Sequence, residues 1–215
     1  HVIFRDLLIH DVGTGGNEDC LKLSGLRDFW VLDSEIHTCG GGGSGSAVDC
    51  VGCHRGVIAR NHLHDLSGNA VQAKGGTEDL EIRWNHMVDA GDRSVNMGGN
   101  TGLQFFRPPV SETSPNAEAR DIRVIANLIE GAEASLAFVG CVDCQAVNNT
   151  LVDPENWIFR ILQETVSDGT YEFEPCRDGR VANNLIWYSD AALSVHINIG
   201  GNTSPETFSF DSNLW

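Results

Sequence analysis

Apolar and polar residues alternate along this chain in a pattern that recurs about every 23 residues. One part of the repeat reads apolar-x-apolar-x-x-Asn-x-apolar, as in the segments centred on Asn85 and Asn127. The other part is a pair of alternating apolar residues followed by glycine, as in Val71, Ala73 and Gly75. Seven copies are legible. Self-similarity at this period indicates a solenoid in which each copy forms one coil.

Both parts of the repeat favour strands over helices. They alternate with a period of two, are rich in Val, Ile and Phe, and end in turn residues. A leucine-rich repeat shares the Asn motif, but the further Leu that it needs is replaced by Thr77, Arg55 and Ala119. The pattern therefore predicts an all-β chain that forms a right-handed parallel β-helix solenoid of about seven coils. We expect one domain over residues 1–215, with the leucine-rich repeat as the alternative fold.

Two copies of the repeat are much longer than the others. The copies that contain Asn96 and Arg160 carry about 19 and 12 extra residues after the glycine-ended strand. They predict long loops over residues 100–120 and 164–177, both beside the same sheet. Loops on a rigid scaffold are where binding groups usually lie.

Charge and hydropathy exclude two classes of partner. The chain has 14 Lys and Arg against 30 Asp and Glu, a formal net charge of −16. Nucleic acid is therefore not expected as a partner, because its phosphates are bound by cationic side chains. No apolar run approaches the ~18 residues of a membrane span. The chain opens at His1 in what already reads as a strand, so we expect a processed or trimmed piece without its N-terminal cap.

The alternation also predicts which side chains share a surface. The residue between the two apolar positions of each glycine-ended strand points outward. Stacking the coils places these outward residues in one row: Lys22, Asp49, Gln72, Asn96, Ala137, Arg160 and His196. The next outward position adds Ser24, Lys74 and Asn198. At ~4.8 Å per coil the row spans about 29 Å, enough for several sugar units of a polysaccharide or oligosaccharide.

The residue types in this row suit proton abstraction beside a carboxylate. That chemistry needs a base and a group that neutralises the carboxylate. Lys74 and Lys22 are the candidate bases, and Arg160 or Arg107 is the candidate carboxylate clamp. Hydrolysis of a glycosidic bond needs two carboxylates instead. Asp49 is the one acid in the row, so a lyase ranks above a glycosidase.

Two further groups of residues are candidates for binding. The first long loop contains Phe106 and Arg107, which suit a wall that stacks on a sugar ring and contacts its carboxylate. Packing of this segment onto the coil is the alternative. Oxygen ligands for Ca²⁺ are offered by four residues, Asn17, Glu18, Asp19 and Asp49.

The stacked Asn positions and the glycine column resemble the pectin-lyase-like superfamily of right-handed β-helices. The stretch Gln72-Ala73-Lys74-Gly75-Gly76, with Arg83-x-Asn85 after it, is similar to the stretch that carries the base lysine in the alginate lyase and chondroitinase B family. The family has an Arg on the next coil, where this chain has Met97-Gly98-Gly99, so Arg93, Arg107 and Arg160 are the candidates for that place.

The resemblance implies a function as well as a fold. It implies a polysaccharide lyase that acts by β-elimination on a uronate-containing chain, with calcium on the uronate carboxylate. It also implies an extracellular, periplasmic or cell-surface location, as a monomer or a trimer. Members of the superfamily differ widely in activity, so a non-catalytic glycan-binding or adhesion module is the alternative function.

The spacing of the cysteines and histidines does not predict a metal site. Cys53 and Cys141 each follow a column glycine and are three coils apart, roughly 14 Å, which is too far for a shared zinc ion or a disulfide. We expect the seven cysteines to fill the core as small thiols. We also expect His62, His64 and His86 to be solvated turn residues on a different face from the polar row.

Overall fold

The computed structural model describes residues 1–13, 18–41, 44–189 and 193–215. The strands of these residues form three parallel sheets that wind into a right-handed parallel β-helix, as the repeat predicts. Each complete coil contributes one strand to sheet C, then one to sheet A, then one to sheet B, except that one coil contributes two short strands to sheet A, Cys141–Val142 and Gln145–Val147. The described residues contain no helix long and apolar enough to cross a membrane.

The strands of each sheet follow one another at intervals of one coil. Sheet A has nine strands: Val2–Arg5, Arg27–Leu32, His54–Ala59, Thr77–Arg83, Ala119–Ile125, Cys141–Val142, Gln145–Val147, Arg180–Ala182 and Ser209–Asp211. Sheet B has seven: Leu8–Val12, Glu35–Cys39, His62–Leu66, His86–Ala90, Leu128–Glu130, Thr150–Val152 and Leu185–Trp187. Sheet C has seven: Leu21–Ser24, Val48–Val51, Val71–Lys74, Arg93–Gly98, Ala134–Val139, Trp157–Leu162 and Ile197–Ile199. The two 3₁₀ helices are Leu103–Phe105 and Pro205–Thr207.

A ladder of buried asparagines joins the turns between sheets A and B. Each Asn side chain accepts from the backbone N–H of the equivalent residue one coil earlier, which is Ser34 for Asn61, and donates to a carbonyl of that earlier coil. At Asn127, for example, Oδ1 accepts from Asn85 N at 2.9 Å and Nδ2 donates to Ile82 O at 2.9 Å. The ladder comprises Asn61, Asn85, Asn127, Asn149, Asn184 and Asn213. It satisfies backbone groups that the sharp turn takes out of the sheets.

The turn before each ladder residue is tight. Arg60, Trp84 and Ala126 precede ladder asparagines, with φ of 58°, 57° and 53°. A left-handed conformation costs an L-residue roughly 1–2 kcal/mol. The ladder hydrogen bonds offset this cost in every coil.

Two of the seven cysteines are not the free thiols that the sequence analysis predicts. Cys20 and Cys39, 19 positions apart in sequence, form a disulfide that closes the first complete coil. The five other cysteines are buried thiols, as expected. The predicted register is correct, because Cys53 and Cys141 are separated by Thr77 and Ala119 in successive strands of sheet A.

The two long loops fold against each other beside sheet C. The strands of sheet C that end at Gly98 and Leu162 lead into them. The buried Glu118 holds both loops, because its carboxylate accepts hydrogen bonds from Thr101 N and Thr101 Oγ1 at 2.8 and 2.7 Å and from Thr165 Oγ1 at 2.5 Å. Phe106 of the first loop packs on Phe173 of the second.

The first loop reaches back across earlier coils through the glycine column. A Cβ atom on Gly52 would lie 2.3 Å from Arg107 Cβ, so only glycine lets the loop approach the coil this closely. The loop therefore walls one side of the outer face of sheet C over its first coils.

Candidate functional site

The outer face of sheet C brings most of the predicted row together. Strand pairing aligns Lys22 with Asp49, Asp49 with Gln72, and Gln72 with Asn96. Farther along, Ala137 interrupts the polar row before Arg160. The sequence-based assignment of one shared face is therefore confirmed for these six positions.

His196 does not belong to the row, contrary to expectation. Asn198 pairs with Arg160 and takes the outward place, because Ile197 and Ile199 are the inward pair of the last coil. The His196 ring contacts Tyr188 and Trp215 instead, at centroid distances of 5.0 and 6.0 Å. The repeat is displaced by two residues in this coil, which the sequence pattern did not reveal.

Four side chains of alternating charge form a chain across the first coils. Lys22 Nζ donates to Asp19 Oδ2 and Asp49 Oδ2, both at 2.6 Å. Lys74 Nζ lies 3.4 Å from the same Asp49 oxygen. Asp49 is fully buried beneath the two lysines, and its Oδ1 has no hydrogen-bond partner among the described residues. Asp49 therefore positions the lysines and is shielded from a ligand.

The protonation of Asp49 and Lys22 follows from their burial and from their pairing with neighbouring charges. Burial is the largest influence on Asp49 and raises the pKa of its carboxyl, while the charges of Lys74 and Lys22 act in the opposite direction. For Lys22, burial lowers the pKa, but hydrogen bonds to Asp19 and Asp49 outweigh it and the pKa is raised. Lys22 is therefore held as an ammonium and is a poor base, which leaves Lys74 as the candidate.

The predicted calcium ligands do not fit a calcium ion. The Lys22 ammonium lies between Asp19 and Asp49, where a cation would have to bind. The second oxygen of Asp19 accepts from Ser46 N at 2.7 Å. The Glu18 side chain lies against Gly13, and its backbone lies against Gly45. Asn17 lies outside the described residues.

A cavity of about 310 Å³ opens between the first coils and the first long loop. Its wall includes both lysines and the side chain of Phe105, which is 55% exposed. Phe106, the aromatic expected here, is only 2% exposed and packs on Phe173 at a centroid distance of 5.7 Å. The stacking surface is thus Phe105, one residue earlier, and the loop sequence has no periodicity that distinguishes the two.

A second cavity of about 360 Å³ continues along the same face. Lys74 and Asn100 border both cavities, so the two form one groove. The other residues that line the second cavity are Ser44, Asn69, Gln72, Asp92, Arg93, Asn96 and Glu164. The groove is therefore lined mainly by hydrogen-bonding side chains.

Of the three candidate arginines, Arg93 is the one that lines the groove. It donates to Asn96 Oδ1 at 3.0 Å and to Glu164 Oε1 at 2.9 Å. It borders the same cavity as Lys74. Because Arg93 lies before the alternating pair of its strand, the outward row did not include it.

The other two candidate arginines lie elsewhere. Arg107 donates to Gln104 O and Phe106 O, at 2.9 and 2.8 Å, and so braces its own loop. Arg160 stacks on the Trp157 ring at 4.0 Å, and burial followed by the charge of Arg93 lowers its pKa. Arg160 is three coils from Gln72, roughly 14 Å along the sheet.

Comparison with known proteins assigns no family to this sequence. No protein-family model matches the sequence, and no curated protein matches it. The site is therefore described by what its side chains can do. It is a groove on a rigid parallel sheet, walled by a loop, with one exposed aromatic ring and many hydrogen-bonding groups.

Proposed function

We propose that the groove on sheet C binds an oligosaccharide segment of a larger glycan. The observation that carries the proposal is the continuity of the two cavities through Lys74 and Asn100, with the exposed Phe105 ring at one end. Sugars present hydroxyl groups at their edges and C–H groups on their faces. Polar side chains along a groove suit the first, and an aromatic ring suits the second.

The charges of the groove favour a ligand with few anionic groups. Lys22 is neutralised by two aspartates, and Arg93 is paired with Glu164. The chain as a whole carries a formal net charge of −16. A uronate carboxylate and the Glu164 carboxylate repel each other at Arg93. A uronate unit is therefore accommodated where its carboxylate displaces Glu164 from Arg93.

A second candidate function is β-elimination on such a uronate unit, as in a pectin-lyase-like enzyme. The observation that favours it is that Lys74 and Arg93 border one cavity. Lys74 would remove the proton beside the carboxylate while Arg93 neutralises that carboxylate. The electron pair of the broken C–H bond would form the new double bond. The glycosidic oxygen would leave with its own bonding pair and take a proton from solvent.

Binding is tested by calorimetric titration of neutral and uronate oligosaccharides into the whole chain. We expect saturable binding that Phe105→Ala weakens about tenfold, because the ring supplies the stacking surface. Trp84→Ala is the matched control, since Trp84 is 52% exposed on another face. Absence of binding to any oligosaccharide, or equal weakening by both variants, contradicts the proposal.

Catalysis is tested separately by incubating the protein with a panel of polyuronates and following the ultraviolet absorbance of an unsaturated product. We expect Lys74→Met to abolish any such signal. Binding of uronate oligosaccharides without an unsaturated product would show a binding module. That result contradicts β-elimination and leaves the binding proposal standing.

A further inference from the structure

Five histidines stack on the outer face of sheet B, away from the groove. All five lie in strands, contrary to the turn positions expected for His62, His64 and His86. The register of successive coils places their rings one above another. The ring centroids of His10 and His37 are 5.0 Å apart, and those of His37 and His64 are 4.7 Å apart. His62 stacks on His64 at 4.2 Å and on His86 at 5.0 Å.

Within this stack one carboxylate and two imidazoles converge. Glu35, His37 and His64 each offer a ligand atom, and the three atoms lie within 4.8 Å of one another. His64 Nε2 is 3.3 Å from Glu35 Oε1. Glu35 and His37 are two residues apart on one strand, and His64 is directly beside His37 on the next. The group therefore rests on two paired strands of the rigid sheet.

The other ring nitrogen of each histidine already has an oxygen partner. His64 Nδ1 is 2.7 Å from Asp65 Oδ2, and His37 Nδ1 is 2.9 Å from Thr38 Oγ1. Metal-bound histidines usually have such a partner, which orients the ring and makes the opposite nitrogen more basic. His64 thus directs Nε2 toward Glu35.

From this geometry we propose that Glu35, His37 and His64 bind a divalent transition-metal ion of the zinc class. Two imidazoles and one carboxylate form a set of three protein ligands that leaves one position of a tetrahedral ion open. Bond lengths of about 2.0–2.2 Å place such ligand atoms about 3.3 Å apart, so the exposed Glu35 and the half-buried histidines need only small rotamer changes. Imidazole suits Zn²⁺, Ni²⁺ and Cu²⁺, whereas Ca²⁺ and Mg²⁺ prefer all-oxygen sites.

The test is calorimetric titration of Zn²⁺ into the whole chain in metal-free buffer. We expect one saturable site whose affinity falls at least tenfold in His64→Gln and in Glu35→Gln. Asp65→Asn should weaken binding by about ten- to a hundredfold through the orientation of His64. His86→Gln is the matched control, since His86 pairs with Glu130 at 2.5 Å on the same sheet but is not one of the three residues whose ligand atoms converge. It should change the affinity less than twofold.

Two results overturn the proposal. One is Zn²⁺ binding that is absent from the wild type or equal in His64→Gln and His86→Gln. The other is a thiolate-to-cobalt charge-transfer band on Co²⁺ addition, which would place the metal on the cysteines. Circular dichroism of each variant, compared with the wild type, shows that lost affinity does not come from lost fold.

Discussion

Single residues in the turns combine strain with charge pairing. Asp33 has a φ of 51°, and its carboxylate accepts hydrogen bonds from Arg60 and Arg5 on the neighbouring coils. The sequence predicts the turn from the ladder position that follows it. The two arginine partners could not be predicted, because exposed long side chains have many rotamers and no periodic signal.

We expect these ion pairs to couple stability to acid pH. Arg60 first, and Arg5 second, lower the pKa of Asp33 to about 2, against about 3.9 in an unfolded chain. Because the folded-state pKa is the lower one, the stabilisation is fully present above about pH 3.9 and is lost as the pH falls toward about 2. Arg60→Gln should move the pKa of Asp33 upward, as measured by carboxyl NMR titration.

The control for this prediction is Arg55→Gln. Arg55 pairs with Asp28 and not with Asp33, so the pKa of Asp33 should not change. An Asp33 pKa that stays the same in Arg60→Gln would show that Arg60 is not the main cause of the shift.

At the scale of the structural element, the asparagine ladder explains why the coils keep their register. The ladder was predictable, because the same residue type recurs at the same place in each repeat. The two-residue displacement of the last strand of sheet C was not. Both Val195 with Ile197 and Ile197 with Ile199 satisfy the apolar alternation, and only pairing with Phe159 and Ile161 selects the second.

Replacing one ladder residue should lower the free energy of unfolding by an amount that depends on its depth. Asn127→Ala leaves Asn85 N and Ile82 O buried without their partners, and each unsatisfied group costs about 1–3 kcal/mol. We expect a loss of about 2–5 kcal/mol in urea unfolding. Asn213→Ala removes equivalent bonds at the half-buried end of the ladder, where water replaces them, and should cost less than half as much. Equal losses would contradict this account.

For the whole molecule, stability is a sum over coils and the contacts between neighbours. The Cys20–Cys39 disulfide closes the first coil of this series. Seven cysteines are an odd number, and their positions in the sequence did not predict which of them form a disulfide. The bond joins the start of a sheet C strand to the end of a sheet B strand, and only the winding of the coil brings these two positions together.

We expect the Cys20→Ser, Cys39→Ser double variant to lose about 3 kcal/mol of stability, the value typical of a closed loop of this size. The five other cysteines are free thiols, so the two substitutions remove the disulfide without breaking another bond. Hydrogen exchange should speed up most in the strands Leu21–Ser24 and Arg27–Leu32, and least in the middle coils. A uniform increase along the chain would show that the disulfide acts on the solenoid as a whole.

The amino-acid sequence by itself determined the repeat, the strand class, the asparagine ladder and the shared face of Lys22, Asp49, Gln72 and Asn96, because all of these follow from local alternation and a constant coil length. Only the tertiary structure decided which loop aromatic is exposed, that Arg93 borders the cavity of Lys74, and that the histidines of sheet B converge. Those outcomes depend on how irregular loops fold back and on which rotamers neighbouring coils permit, and neither has a period that a sequence can display.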